Sequence, residues 1–434
     1  MTADVLTVQP GGFLAGSLTV PGDKSISHRS VMFGALADGI TEVRDCLMGE
    51  DVRATMGAFR AMGVQIEELE QGRLLRVHGV GRDGLCTPEG PLDCGNSGTS
   101  MRLLSGIVAG AGLAATLTGD HSLCRRPMRR VTEPLGLMGA SIETAPNGTP
   151  PLRIQPGRPL HGITYAMPVA SAQVKSALLL AGLFAEGRTT VTEPAITRDH
   201  TERMLRGFGV QVQVEGPTIS LLGGQRLRAT AITVPADISS ATFFLVGAAI
   251  AAREPLTVRA VGVNPSRTGV IAILRLMGAD LRLENPRDIG GEPVADLTVH
   301  PSALKGAEIP PELVPLAIDE FPALFVAAAC AEGRTVVTGA EELRHKESDR
   351  IETMAEGLRA LGVEVETLPD GLIIEGRPRL GGATLDARGD HRIAMSFAMA
   401  ALRATAPVTL TGASTIATSF PDFVSLARAA GLRL

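Results

Sequence analysis

The chain has 434 residues, 44% of them hydrophobic, and a formal net charge of −5 at pH 7. That length can bury the cores of two or three domains, while no Trp, one Tyr and 12 Phe leave few platforms on which single-stranded nucleic acid could stack. The acidic balance excludes a general attraction to nucleic acid or to an anionic membrane, so any anion site must be local.

The opening MTADVLTVQPGG lacks the basic start and apolar core of a signal peptide. The longest apolar runs, such as Ala177 to Phe184 and Phe321 to Ala331, are too short to span a bilayer. A soluble cytoplasmic protein is expected. Beyond the opening, GDKSISHR precedes an apolar helical pattern, TEVRD reads as a short β-branched strand, and AMGVQIEE marks a helix ending at Gly63 with a strand after it. The order then repeats. CGNSGTSMR, ATLTG, CRRPMRR and LMGASIET lead to Gly139; ASAQVKSA, TTVTE, TRDHTERM and GFGVQVQV to Gly209; ADISSATF, LTVRA, NPSRTGV and LMGADLRL to Gly278. IDEFPALF, TVVTG, KESDRIE and ALGVEVET lead to Gly362, and GDHRIAMS, VTLTG, TSFPDFV and AAGLRL to Gly431. A glycine just past a helix is the expected left-handed terminator. Each unit thus reads helix, strand, helix, glycine, strand and usually one more strand, six times over.

The first helices begin with polar, small or charged residues. Unpaired N–H groups and the positive dipole end suit phosphate or carboxylate there, although ADISSATF reads simply as a cap. Lys24, Arg29, Arg102, Lys175 and Arg392 need a further reason, because a cation at a helix start opposes the dipole. RHKESDR, Arg344 to Arg350, packs six ionised or ionisable groups into seven positions. Dense charge there usually faces water, but membership in the series of second-helix starts favours an anion site.

Several motifs fail in context. GVGRDG, Gly79 to Gly84, is followed by Leu-Cys-Thr-Pro rather than by a helix, which removes the dinucleotide reading. No phosphate-binding G-x-x-x-x-G-K-[ST] occurs. The eight histidines form no H-E-x-x-H, and Cys46, Cys86, Cys94, Cys124 and Cys330 lack metal-ligand spacing, so the thiols read as buried or idle and neither metal nor cofactor is implied.

With GDKSISHR, GNSGTSMR, RRPM, SAQVKSA, IDEFP, KESDR, DHRIAMSF and TSFPDF in this order, the sequence resembles the 5-enolpyruvylshikimate-3-phosphate synthase family from about residue 12 to the C-terminus. The resemblance implies transfer of the enolpyruvyl group of phosphoenolpyruvate to the 5-hydroxyl of shikimate 3-phosphate, with release of phosphate, in the pathway to aromatic amino acids. It implies an α/β fold, a two-domain inside-out α/β barrel of six βαβαββ repeats, three per domain, closing on substrate. Residues 21–234 would form one domain, and 1–20 with 235–434 the other, joined by two crossover segments.

By the same resemblance Lys24, Ser25, Arg29, Ser171, Ala172, Gln173, Arg198, Asp319 and Lys346 bind shikimate 3-phosphate. Lys24, Gly98, Arg126, Gln173, Arg350 and Arg392 bind phosphoenolpyruvate. Two polyanions need several cations in a site that sheds water, and planar guanidinium groups suit carboxylate and phosphate forks. Addition across the enol and elimination of phosphate require a group at the attacking hydroxyl and another that exchanges the methylene proton. Asp319 and Glu347 are the expected catalytic carboxylates, with Lys24 a competing candidate for part of that work. Neighbouring Lys346 and Arg350 favour the ionised form of Glu347 and burial the protonated one. Glu320, Asp349 and His345 read as scaffold, and Arg344 is unassigned.

Many family members carry a lysine just before the Ser/Thr-Phe-Pro of the last helix start, where this chain has Thr418. That feature, with SAQVK, RDHTE and NPSR, resembles the branch tolerant of glyphosate, which occupies the phosphoenolpyruvate site. The tolerance is associated with an alanine methyl where this chain has Gly98, so at least moderate sensitivity is expected. One alternative is the related transferase acting on UDP-N-acetylglucosamine, whose reactive cysteine position is here His121, with Cys124 two residues before Arg126. Another is a non-catalytic repeat scaffold binding phosphosugars or nucleic acid. Its cations should line a face without embedded carboxylates, unlike Asp319 and Glu347 here. The expected partners are the two small-molecule substrates, with no nucleic acid and no membrane, and the expected state is a monomer.

Overall fold

The computed structural model describes residues 4–157 and 159–434, so the first three residues of the segment 1–20 lie outside the described residues. The protein is mixed α/β, and it divides into two compact units, Lys24–Val234 and Met1–Asp23 with Pro235–Leu434.

Among the described residues of the unit Lys24–Val234, six α-helices alternate with strands: α1 Lys24–Leu36, α2 Glu50–Ala61, α3 Gly98–Gly110, α4 Arg129–Leu137, α5 Ala172–Gly182 and α6 His200–Gly207. The β-branched strands sit second in their sheets. Ala115–Thr118 pairs parallel with Leu92–Asp93 and antiparallel with Leu152–Gln155, which pairs with Ser141–Glu143. Arg188–Thr192 does the same between Thr164–Ala166 and Thr218–Leu222. Ala37–Arg44 lies between Leu74–Val80 and the parallel partners Leu227–Arg228 and Ala231–Thr233.

The other unit holds α7 Ile238–Ala251, α8 Gly269–Leu276, α9 Phe321–Ala329, α10 Arg350–Ala360, α11 His391–Ala400 and α12 Phe423–Ala430. Leu256–Gly262 pairs parallel with Gly16–Leu18 and antiparallel with Glu292–His300. Val408–Thr411 pairs parallel with Ala383–Asp386 and antiparallel with Val5–Val8.

Sequence explains which helices lie inside. The first helices are apolar or small nearly all round, as in α7, buried continuously from Ile238 to Ile250, and a helix with no polar face packs on every side. The second helices carry a stripe: α2 buries Val52, Met56 and Phe59 and exposes Arg53 and Arg60. Close approach of α3 and α5 depends on Gly106, where a Cβ would stand 2.2 Å from the Ala177 carbonyl oxygen. The six junction glycines all adopt the expected left-handed conformation, with φ from 85° at Gly209 and Gly362 to 119° at Gly431.

The second helices start later than their charged motifs suggest. α10 begins at Arg350, after a 3₁₀ turn Glu341–His345, because the Asp349 side chain accepts the Glu352 N–H at 3.1 Å and caps the helix there. Lys346 and Glu347 therefore stand on the loop before the helix. Likewise α12 begins at Phe423, after the turn Ala413–Thr418. Phe420 and Phe423, 5.5 Å apart between ring centroids, both pack on Phe244 of α7, which fixes this last helix start to the core.

Candidate active site

The residues expected from the sequence to form the site lie at or just before helix starts in each unit. In Lys24–Val234, Lys24 is the first residue of α1, and its Nζ lies 3.0 Å from Asp51 of α2. Ser25 is half-buried beside it. Arg29, one turn on, is buried and donates to Thr201 at 2.7 Å, to Ser176 at 2.8 Å and to the Ser25 carbonyl at 3.0 Å. Hydroxyls tie α1, α2 and α3 together: His28 Nδ1 meets Thr55 at 2.8 Å, Thr55 meets Ser100 at 2.6 Å, and Ser100 donates to the α3 cap Ser97 at 2.8 Å.

Gly98 opens α3. A Cβ built there would lie 2.8 Å from Arg102 Nη1 and 3.2 Å from Arg126 Nη1, so two guanidinium groups flank this glycine. Arg126 donates to Asn96 at 2.7 Å, and Asn96 in turn donates to Asp120 at 2.6 Å. Gln173 takes a hydrogen bond from Arg102 and donates to Thr99 at 2.9 Å, which joins the starts of α3 and α5. Ser171 caps α5, Ala172 is its first residue, and Arg198 is half-buried on the segment before α6. Beneath them Lys175, wholly buried, bonds Glu193 at 2.9 Å and Glu202 at 2.7 Å. Glu193 also accepts from Thr197, next to Arg198.

In the other unit Arg350 is the centre. Its Nε meets Asp390 at 2.8 Å, its Nη2 Glu347 at 2.6 Å and its Nη1 Asp319 at 3.5 Å. Burial alone would lower the Arg350 pKa; Asp390, Glu347 and Asp319 more than reverse this and hold it above the ordinary guanidinium value. Lys346 reaches Asp319 at 3.3 Å and Glu342 at 2.8 Å. Arg392 donates to the Asp319 carbonyl at 2.9 Å. Asp319, Lys346, Glu347, Arg350 and Arg392 are thus joined in one network, with Asp319 and Glu347 still 15% and 17% exposed.

Several residues carry this arrangement without having been marked for it. Asp390 caps α11 through the Arg392 N–H at 3.0 Å and anchors Arg350 with the same carboxylate. Its only signal was its place before the helix in GDHR. Arg344 bonds the carbonyls of Leu368 and Pro369 and the Asp349 carboxylate, which makes it a loop anchor; His345 is exposed. Thr418 meets His391 Nδ1 at 3.3 Å and donates to the Thr415 carbonyl at 2.8 Å. Cys46 and Cys94 are buried, and burial pushes the Cys46 thiol up to about 12. Cys124 donates to the Gly119 carbonyl at 3.3 Å, and Cys86 is exposed. Among the described residues no group of His, Cys, Asp and Glu is placed to hold a metal, and no helix is long and apolar enough to cross a membrane.

Comparison with known proteins agrees in kind. Residues 8–426 match the family described as EPSP synthase (3-phosphoshikimate 1-carboxyvinyltransferase). The chain is 63% identical over 428 residues to the 3-phosphoshikimate 1-carboxyvinyltransferase of Methylococcus capsulatus, covering 99% of this chain and 98% of that protein. It resembles the EPSP synthase of Acinetobacter baumannii in structure, with a TM-score of 0.88 and 55% identity, covering 99% of this chain and 98% of that one. The enolpyruvyl transferase NikO of Streptomyces tendae shares the fold at 20% identity and a TM-score of 0.79, covering 98% of this chain and 97% of that one.

Proposed function

Because the chain belongs to the EPSP synthase family, we infer that it transfers the enolpyruvyl group of phosphoenolpyruvate to the 5-hydroxyl of shikimate 3-phosphate and releases phosphate. It is an enzyme of the shikimate pathway to aromatic amino acids. The observation that carries the assignment of residues is the network around Arg350, where two partly exposed carboxylates, Asp319 and Glu347, share the cations Lys346 and Arg350.

In this reading Asp319 receives the proton of the attacking 5-hydroxyl as its oxygen bonds to the central carbon of phosphoenolpyruvate. Glu347 gives a proton to the methylene carbon. In the elimination Glu347 takes a proton back from that carbon, the double bond re-forms, the carbon–oxygen bond to phosphate breaks, and the proton held by Asp319 passes to the departing phosphate. An incoming phosphate or carboxylate competes with Asp319 and Glu347 for the same cations, and a carboxylate that loses a cationic partner takes up a proton more readily. Substrate binding would therefore prepare the carboxylates it displaces.

Lys24, Ser25, Arg29, Ser171, Ala172, Gln173, Arg198, Asp319 and Lys346 take shikimate 3-phosphate in this account, and Lys24, Gly98, Arg126, Gln173, Arg350 and Arg392 take phosphoenolpyruvate. Lys24 has a role in both sets. Burial of Arg29 and Arg126 supports this, because a guanidinium held by hydroxyl and amide partners keeps its fork oriented for a phosphate or carboxylate. The residues are divided between two domains, 21–234 and 1–20 with 235–434. Three βαβαββ repeats in each would form the inside-out α/β barrel, supported by the β-branched strands that pair parallel on one side and antiparallel on the other, Arg334–Val337 excepted, which among the described residues has only isolated bridges on its parallel side. The enzyme would work as a cytoplasmic monomer without a cofactor.

Phosphate release tests the reading. The purified protein should release phosphate with shikimate 3-phosphate and phosphoenolpyruvate together and with neither alone. Release when UDP-N-acetylglucosamine replaces shikimate 3-phosphate, or no release with any pair, would contradict it.

A further inference from the structure

Glu320 follows Asp319 directly, yet the two side chains engage different partners. Asp319 meets Lys346 and Arg350 at the partly exposed network. Glu320 is wholly buried, accepts a hydrogen bond from Ser239, and lies 3.2 Å from Arg267 Nη2. Arg267, itself 4% exposed, donates to Ser239 at 2.7 Å and faces two more buried carboxylates, Asp23 at 3.3 Å and Asp237 at 3.6 Å. Burial would lower the Arg267 pKa, but Glu320, Asp23 and Asp237 more than reverse this. Losing the Arg267 guanidinium at that depth would leave the acidic side chains that face it without their cation.

These contacts fix a particular piece of backbone. Glu320 stands at the N-cap of α9, with φ −91° and ψ −11°, but its side chain makes no capping bond. Its carboxylate is turned instead to Arg267 on the turn before α8 and to Ser239 in the first turn of α7. Arg392 adds a third hold, bonding the Asp319 carbonyl while its Nη1 lies 3.9 Å from Glu320 Oε1. A helix cap alone would not require a buried ion pair at this position. Together these contacts hold the Asp319–Glu320 peptide, and with it the direction of the Asp319 carboxylate.

We propose that Glu320, clamped by Arg267, is a positioning residue that aims the Asp319 carboxylate at the reacting hydroxyl. This rests on the assigned role of Asp319. A small misplacement of a reacting group costs a large factor in rate, so Glu320→Ala lowers kcat by roughly tenfold to a hundredfold in protein whose circular dichroism matches the parent. Glu320→Gln, which keeps the acceptor for Ser239, restores part of that loss.

The deciding experiment is a double-mutant cycle with Asp319→Asn. If Glu320 acts through Asp319, adding Glu320→Ala to Asp319→Asn lowers kcat by much less than it does in the parent. Equal losses in the two backgrounds, or a parental kcat for Glu320→Ala, would overturn the proposal. A parental kcat for Asp319→Asn would instead remove the assigned role of Asp319, which separates the two failures. Where Glu320→Ala does not fold, the same cycle is run with Glu320→Gln and with Arg267→Lys, which keeps the charge but not the fork.

Discussion

Lys175 and Arg350 are both wholly buried cations near helix starts, one in each unit, but their surroundings differ. Lys175 has two carboxylate partners, Glu193 and Glu202, as buried as itself. Arg350 has one fully buried partner, Asp390, and two that remain partly exposed, Glu347 and Asp319. A compact ammonium closed off by carboxylates can only hold a scaffold. A guanidinium anchored on one edge by a buried aspartate can present the carboxylates on its other edges to a ligand. Burial of the partner, more than burial of the cation, separates structural from chemical charge in this protein.

The largest effect that could break this comparison comes from Arg350→Met. It strands Asp390 at zero exposure, which should cost about 3–5 kcal/mol of stability in urea unfolding and abolish turnover in the protein that remains folded. Next is Glu347→Gln, which leaves the Arg350–Asp390 pair intact. It should lower kcat by roughly 10²–10⁴, with the unfolding midpoint close to the parent's. Lys175→Met inverts that pattern: about 3–5 kcal/mol of stability lost, largely recovered when Glu193→Gln and Glu202→Gln are added, and kcat of the folded fraction near the parent's. A kcat for Lys175→Met as low as that for Glu347→Gln would erase the distinction.

Two smaller effects sharpen it. Gly98→Ala places a methyl 2.8 Å from Arg102 and 3.2 Å from Arg126, so those side chains must give way. Its KM for phosphoenolpyruvate should rise modestly and its inhibition constant for glyphosate more steeply, both read from steady-state kinetics. The smallest change concerns Asp237, which burial and the Asp23 carboxylate push above the ordinary aspartate value of 3.8, against the pull of Arg267 and Arg392. An acid with a raised native pKa takes up protons on folding. It therefore lowers stability as pH climbs above the unfolded value, with the full cost reached above the native one. Asn keeps the α7 cap, so Asp237→Asn should match the parent's Tm near pH 4 and exceed it at pH 7. A Tm difference independent of pH would contradict the shift.

The sequence made visible what has a local chemical signature. Gly63, Gly139, Gly209, Gly278, Gly362 and Gly431 could be read as helix ends because a left-handed residue favours glycine wherever the chain runs next. Lys24 and Arg392 could be read as candidate site residues because a cation at a helix start opposes the dipole, and Arg126 and Arg350 because a family resemblance covered them. What could not be read was partnership. Asp390 lies 40 residues from Arg350, and Asp23 lies 244 from Arg267, so neither spacing nor periodicity connects them. The start of α10 also shifted, since Asp349 competes as a cap inside the same charged motif and leaves Lys346 and Glu347 on the loop.

The assignment of Glu347 to the methylene proton is tested most directly in deuterium oxide, by following the reaction of parent and Glu347→Gln with both substrates by mass spectrometry. The parent should place deuterium on the methylene of the enolpyruvyl product, and Glu347→Gln should lose that incorporation together with phosphate release. Product formed by Glu347→Gln at the parent's rate and with the parent's deuterium content would contradict the account.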